Sequence, residues 1–307
     1  MKKLGFIVAF ICLSLGVSAQ NQSQFTGSLL WKISGKDLKK PSYILGTHHA
    51  VSGAYTDSIS GLNEALKQVK QVVGEIDMSN MDAIVQGAVK YSAMPTGYSY
   101  ESLLSASDYS LLDKALSERI GVGLDQFKGL HPAAINALFI QLFCTEVFPE
   151  FQQPNFEPID SYIQKTAKEQ KKGIMGLETV EEQFELLYNS EPIDVQMKNL
   201  ICLVKYPEES IEVLVQLTDL YYQKQLDKLY DMIGDEMKNA DPVDDCTPSQ
   251  SFVDGLNKQR NDKWLKILPE IMKKKTSLIA VGALHISGED GLLYQLHKMG
   301  YTVEAVR

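Results

Sequence analysis

Beyond its first twenty residues the chain has no apolar run long enough to cross a bilayer, a span that takes about 20 residues. Cysteine is scarce. The four cysteines, Cys12, Cys144, Cys202 and Cys246, include no Cys-x-x-Cys pair. That excludes a zinc ribbon or a thioredoxin-like dithiol. Positive charge is thin: 30 Lys and Arg stand against 39 Asp and Glu, for a formal net charge of −9. No basic cluster is present beyond Lys273-Lys274-Lys275, so a nucleic-acid partner is not expected, because phosphate contacts need concentrated positive charge. There is no low-complexity tract and no long flexible linker, so independent domains joined by a tether are not expected either.

The one apolar run stands at the start. Met1-Lys2-Lys3 precedes the stretch Leu4 to Val17, and Val17-Ser18-Ala19 follows. A basic segment, a short apolar segment and a small-residue site occur in signal-peptide order. The expectation is that residues 1–19 are removed near Ala19 and that the remainder, 20–307, is exported to a periplasmic or extracellular space as one domain. No stable membrane insertion is expected after cleavage. An oxidising compartment permits disulfides. Three cysteines survive processing, so at most one bridge forms and one thiol stays free.

Periodicity indicates an α/β chain. Ser28 to Ile33 and Tyr43 to Thr47 are β-like, and Gly35 to Pro41 between them has the composition of a hairpin connection. A helical stripe follows over Ile59 to Val69, then the apolar run Val72 to Ile76. Near the C-terminus the same grammar recurs. Ser277 to Leu284 is a buried-strand run, Leu292, Leu293, Leu296 and Met299 form a helical stripe, Gly300 ends it, and Tyr301 to Val306 alternates. The expected fold is a central mixed sheet made by two pseudo-repeated β-α-β halves, 28–80 and 260–307. A largely helical middle, 100–250, packs around it. That middle reads as helices over Leu103 to Leu116, His131 to Phe148, Ile159 to Glu169, Val180 to Tyr188 and Ile193 to Ile233. A short β-like interruption lies at Lys172 to Thr179, and Asn239 to Gln250 reads as an acidic, turn-rich loop.

The candidate chemistry lies at strand ends. Two of the five histidines, His49 and His285, have a glycine three residues earlier, Gly46 and Gly282. Chance supplies about a third of one such pairing among five histidines, so the recurrence points to a shared role. Each falls where an α/β sheet builds its binding crevice. Glu75 and Glu178 end two further strand-like runs, and a buried carboxylate there must be paired, hydrated or bound to a cation. Two His and one or two Glu make a nitrogen/oxygen donor set suited to Zn, Mn, Co or Fe. Structural readings stand beside these: a strand-end His can serve only as a hydrogen-bonded structural residue, and Asp77 competes with Glu75 for the same facing. His48 would face away from His49 if the strand continued. His131 before Pro132 resembles a helix start, and His297 lies on a polar helix face.

The segments LWKISG, SYILGTHHA, QVVGEIDM, GIMGLETVEEQFELL, KQRNDKW and IAVGALHISGEDGLLYQLHKMGYTVEAV resemble the TraB/GumN (TraB/PrgY) family, from Leu30 to Arg307. The resemblance is nearest to its exported GumN-like branch. It extends to the Tiki metalloproteases and, more distantly, to erythromycin-esterase and ChaN-like folds. It places the family's two Gly-x-x-His motifs on Gly46–His49 and Gly282–His285. It places the family acid on Glu75, the Leu-Glu-Thr segment with its Gln on Leu177 to Thr179 and Gln183, and the Arg-Asn pair on Arg260 and Asn261. The resemblance implies a metal-dependent hydrolase of peptide or protein substrates, with Mn or Co, or else Zn. His49, His285, Glu75 and Glu178 are then the candidate ligands. Glu75 or Glu178 serves as base, and Arg260 stabilises an oxyanion, grips a substrate carboxylate or takes part in a structural salt bridge. A metal-free His-dependent hydrolase and a non-catalytic exported binding protein are the alternatives.

Overall fold

A computed structural model describes residues 25–238, 246 and 248–307. The signal-like segment 1–19, the polar stretch after it and most of the acidic loop 239–250 lie outside the described residues. Six strands form one sheet: β1 (Leu30–Ser34), β2 (Ser42–Thr47), β3 (Gln71–Gly74), β4 (Gly173–Gly176), β5 (Ser277–Gly282) and β6 (Thr302–Ala305). The first helices are α1 (Leu62–Gln68), α2 (Met81–Tyr91), α3 (Tyr100–Leu103), α4 (Ala106–Ile120) and α5 (Pro132–Val147). The middle continues through α6 (Ile159–Glu169), α7 (Val180–Asn189), α8 (Ile193–Lys205), α9 (Pro207–Tyr222) and α10 (Leu226–Lys238). The chain closes with α11 (Gln250–Leu256), α12 (Lys258–Lys274), α13 (Ala283–Ile286) and α14 (Leu292–Lys298) around β5 and before β6.

The strand order is β4-β3-β5-β2-β1-β6. The pairs β4–β3, β3–β5 and β5–β2 are parallel, while β1 runs antiparallel to both β2 and β6. The sheet is therefore mixed, as the periodicity indicates. Ile44, Leu45, Val72, Val73, Leu278 and Ile279 are wholly buried, which is why these strands read as continuous apolar runs rather than alternating ones. One hydrophobic core runs through both terminal halves and the helical middle, from Phe25 to Tyr301.

The two halves are less alike than their sequences. After β2 and α1 the chain crosses β5 to make β3, which pairs parallel with β5. After β5 and α14 it crosses both β2 and β1 before adding β6 at the far edge. The hairpin β1–β2 fills the place next to β2 that a strict repeat would give to β6. The single helical stretch over Ile193 to Ile233 is in fact three helices. Pro207 opens α9 because it lacks the N–H needed to continue α8, and Lys224, at φ 60°, turns the chain before α10. Helices α2 and α12 were not apparent from periodicity; α2 leaves Met81, Val85 and Val89 exposed, and α12 carries an internal Pro269.

Other local readings hold. His131 caps α5, its Nδ1 accepting from Ala133 N–H, and Pro132 takes the first helical position. Gly300, at φ 90°, follows α14. Cys202 and Cys246 form one disulfide, and Cys144 is a free, buried thiol.

Candidate active site

Parallel pairing lines up the C-terminal ends of four neighbouring strands. In sheet order, β4, β3, β5 and β2 are followed by Glu178, Glu75, His285 and His49. The ladder extends past β3 and β4: Leu177 N–H bonds to Gly74 O at 2.9 Å and Glu178 N–H to Glu75 O at 3.0 Å, which sets the two acids side by side. Gly176 allows this approach, because a Cβ there would stand 2.6 Å from Glu178 O and 2.8 Å from Asp77 N. Asp77 turns away to cap Ser79, accepting from its N–H at 2.9 Å and its hydroxyl at 2.6 Å. Glu75 is the acid that enters the site.

Arg260, from the first turn of α12 and almost fully buried, is the hub. Its Nη2 donates to Glu75 Oε2 at 2.6 Å and to Glu178 Oε1, and its Nε donates to Glu178 Oε2 at 3.0 Å. Its Nη1 approaches His285 Nε2 at 3.0 Å. The remaining oxygen of Glu75, Oε1, accepts Gly282 N–H at 2.9 Å, and Gln183 Nε2 lies 3.2 Å from Glu178 Oε1. Arg260 also lies over the Trp264 ring, which itself packs 4.4 Å from the His285 ring, centroid to centroid. Leu256 O, 3.3 Å from Nη1, takes the remaining guanidinium N–H, so each of the five Arg260 donors faces an acceptor, as a buried charged group requires.

The tautomer of His285 follows from Asn261. The amide nitrogen of Asn261 donates to Asn257 Oδ1, His285 O and Asp290 O, at 2.9, 3.1 and 2.9 Å. Its Oδ1 is thus the acceptor facing His285 Nδ1 at 2.8 Å. His285 carries its proton on Nδ1 and offers the Nε2 lone pair to Arg260. Burial and the neighbouring Arg260 push its pKa down to about 3, so the ring is neutral.

His49 is different. Its Nδ1 lies 2.8 Å from Asp160 Oδ2, and the other Asp160 oxygen takes the Thr47 hydroxyl. Desolvation disfavours the charged ring, but that side chain is 38% exposed. The charge and hydrogen bond of Asp160 win and raise its pKa to about 9. His48 is held by Thr218 Oγ1 at 3.0 Å, and since that hydroxyl donates to Leu214 O, His48 Nε2–H is the donor. Burial and the His49 charge hold His48 down to about 4. For Glu75, burial raises the pKa, but the charges of Arg260 and His49, with the Gly282 N–H bond, pull it well below the usual carboxylate range. Burial raises Glu178 despite Arg260, so of the two acids Glu178 is the one that takes up a proton first.

All four expected residues, His49, Glu75, Glu178 and His285, converge here, and Arg260 joins them. Asp160 was missed. Its signal is legible afterwards: Asp160 and Gln164 are four residues apart on the buried stripe of α6, among Ile159, Ile163 and Ala167. A polar pair in an apolar stripe marks a position facing a site. Gln164 seals the loop after β3, donating to Ile76 O at 3.0 Å and accepting Met78 N–H at 2.9 Å.

The fit to a divalent metal can be tested on these contacts. Among the described residues no three His, Cys, Asp or Glu side chains close on one point at metal-binding range. The cation at the centre of the cluster is the Arg260 guanidinium, which holds both carboxylates and the lone pair of His285. As arranged, the donor set fits that guanidinium and not a metal ion.

His49, Glu75 and Asp160 open onto a cavity of about 760 Å³ whose walls are mostly apolar. A smaller chamber of about 50 Å³ behind it is lined by His48, His49, Glu75 and His285, room for a few water molecules. This is an α/β protein with an acid–base cluster at the carboxyl ends of its parallel strands. The chain matches the TraB/PrgY/gumN family over residues 29–305 and belongs to that family. No curated protein and no solved structure matches it.

Proposed function

We propose that this chain is a hydrolase of amide or ester bonds that acts on peptide or protein substrates outside the cytoplasm. The observation that supports it is one pairing: an ionised carboxylate, Glu75, and a protonated imidazole, His49, line the same cavity and the same small chamber. Glu75 takes a proton from a water seated in the chamber as that water attacks the carbonyl. Its low basicity is offset in part by its fixed position, with Oε1 held by Gly282 N–H and Oε2 by Arg260. His49, oriented by Asp160, donates a hydrogen bond to the developing oxyanion and then a proton to the leaving group. Arg260 keeps Glu75 ionised, and His285, itself oriented by Asn261, holds Arg260 in place. The Cys202–Cys246 disulfide and the signal-like leader support the exported branch of the family and an oxidising compartment.

A metal-dependent hydrolase of the Tiki kind is the second reading, and one observation favours it. Both motif histidines have Nδ1 fixed on an oxygen acceptor, the arrangement that presents Nε2 to a metal. It requires Arg260 to withdraw from His285 Nε2.

The test uses tag-free protein, a peptide library read by mass spectrometry, and metal analysis of the purified chain. Cleavage that survives exhaustive chelation and is lost in both Glu75→Gln and His49→Asn supports the metal-free acid–base reading. Cleavage abolished by chelation and restored by Mn or Co replaces it with the metal-dependent one. Absence of any Glu75-dependent cleavage, with or without metal, overturns both in favour of a binding protein.

A further inference from the structure

The cavity in front of His49 carries more information than its location. One wall is a single face of α5, where Ala134, Ala137, Leu138 and Gln141 follow helical spacing. The opposite face of α5 buries Ile135, Phe139 and Phe143 in the core. The helix is therefore fixed by its large residues and turns Ala134 and Ala137 to the cavity, where small side chains leave volume unfilled. Ile76 and Met78, from the loop after β3, face it, and Phe151 and Phe156, stacked at 3.9 Å, close one end.

Among the described residues the lining contains no Lys or Arg. Its charged groups are Glu75, Asp160 and His49, and each already has a partner in the site. An acidic substrate group would meet two carboxylates, Glu75 and Asp160, against one cation, His49, which already faces Asp160. At the rim stand Gln141 and Gln153, both exposed. Among the described residues neither amide makes a side-chain hydrogen bond. Each can both donate and accept, which matches a peptide backbone and not a bare hydrocarbon. A cavity lined by apolar side chains with a few polar groups at its edge is the usual construction of a specificity subsite.

We infer that this cavity is a subsite for a bulky, uncharged apolar side chain of a peptide, next to the bond to be cleaved, and that Ala137 sets the size it admits. For the bond broken, this rests on the hydrolase reading; for the binding preference, it stands on the cavity alone.

The experiment measures binding and cleavage separately. Labelled peptides that differ only in a central Phe, Ala or Asp are titrated onto full-length Glu75→Gln by fluorescence anisotropy. The same peptides are incubated with the wild type and read by mass spectrometry. The Phe peptide is expected to bind about 10-fold or more tighter than the Ala peptide, with the Asp peptide weakest. Ala137→Phe, added to Glu75→Gln, is expected to lose that advantage while the Ala peptide changes less than about 2-fold. If Ala137→Phe fails to give a native circular dichroism spectrum, Ala137→Leu serves, with a smaller loss in the same direction. Equal binding of the three peptides overturns the inference, as does a folded Ala137 variant that keeps the Phe preference. An uncharged octanoyl amide that competes as well as the Phe peptide overturns the assignment to peptides. Phe-selective binding without wild-type cleavage keeps the subsite and removes the hydrolase reading; cleavage without side-chain preference does the reverse.

Discussion

Arg260 presents Nη1 to the lone pair of His285 Nε2 at 3.0 Å while its other nitrogens hold Glu75 and Glu178. A residue of α12 thus supplies the cation around which residues from three strand ends are arranged. Both carboxylates and the guanidinium are almost fully buried, so removing the cation alone leaves uncompensated charge. Arg260→Met is expected to destabilise the chain by roughly 3–5 kcal/mol in denaturant melts. Arg260→Lys should not restore it, since an ammonium cannot reproduce the fork that meets Glu178 through both Nε and Nη2. Wild-type stability in Arg260→Met would show that the network has no structural weight.

Asp160→Asn tests the state of His49. With the carboxylate gone, burial dominates, and the His49 pKa is expected to fall from about 9 to below its ordinary value. NMR titration of the imidazole reads this directly. If His49 donates protons in turnover, activity at neutral pH should fall by about 10²–10⁴-fold, with the alkaline limb of the pH profile moving to lower pH. An unchanged His49 titration would refute the pairing.

Stability should depend on pH through histidines shifted in opposite directions, His49 upward and His285, His48 and His131 downward. His49 has a folded pKa raised to about 9, so its contribution is complete below its unfolded value near 6.5 and is lost as pH climbs through 9. His285 has a folded pKa lowered to about 3, so the unfolded chain binds more protons below pH 6.5 and stability falls as pH drops from there toward 3. Glu75, also lowered, adds to the acid loss. Melting curves should show a maximum between about pH 6.5 and 8, and His49→Ala should remove the alkaline slope only.

The two motif glycines are not equivalent. A Cβ on Gly46 would stand 2.7 Å from Ile286 Cδ1 and 3.2 Å from Ala283 Cα, where α13 packs on β2. On Gly282 the nearest atoms are Glu75 Oε1 at 3.4 Å and His285 Cδ2 at 3.6 Å, ordinary contact distances. Gly46→Ala is expected to cost about 1–3 kcal/mol, and Gly282→Ala less than about 1 kcal/mol. Equal losses in thermal melts would contradict this asymmetry.

The Cys202–Cys246 bridge spans 44 residues of sequence and joins α8 to the segment before α11. Cys246→Ser is expected to lower stability by about 3–4 kcal/mol under non-reducing conditions, the range for a loop of this length. Reductant should produce the same loss in the wild type and none in the variant.

Much of this was legible in the sequence because strand and helix periodicity is local. Tyr43 to Thr47 announces a strand and Ser277 to Leu284 a buried one, which ends at Gly282, and Ile159 to Glu169 matches α6 end to end, because side-chain spacing follows from backbone geometry. The Gly-x-x-His recurrence likewise marked His49 and His285, and strand-end position marked Glu75 and Glu178. The three-way division of Ile193 to Ile233 was obscured because Pro207 stands at a helix start, where proline does not interrupt the apolar spacing.

What the sequence determined by itself is the set of elements and the residue types at their ends. Only tertiary structure decided the order of those ends, because strand pairing joins segments far apart in the chain. Insertion of β5 between β3 and β2 is what puts His285 between Glu75 and His49. Two partnerships were set the same way, Asp160 with His49 from α6 and Arg260 with Glu75, Glu178 and His285 from α12. No spacing rule links such positions, since a buried charge is satisfied by whatever group the packed helices bring within hydrogen-bond reach.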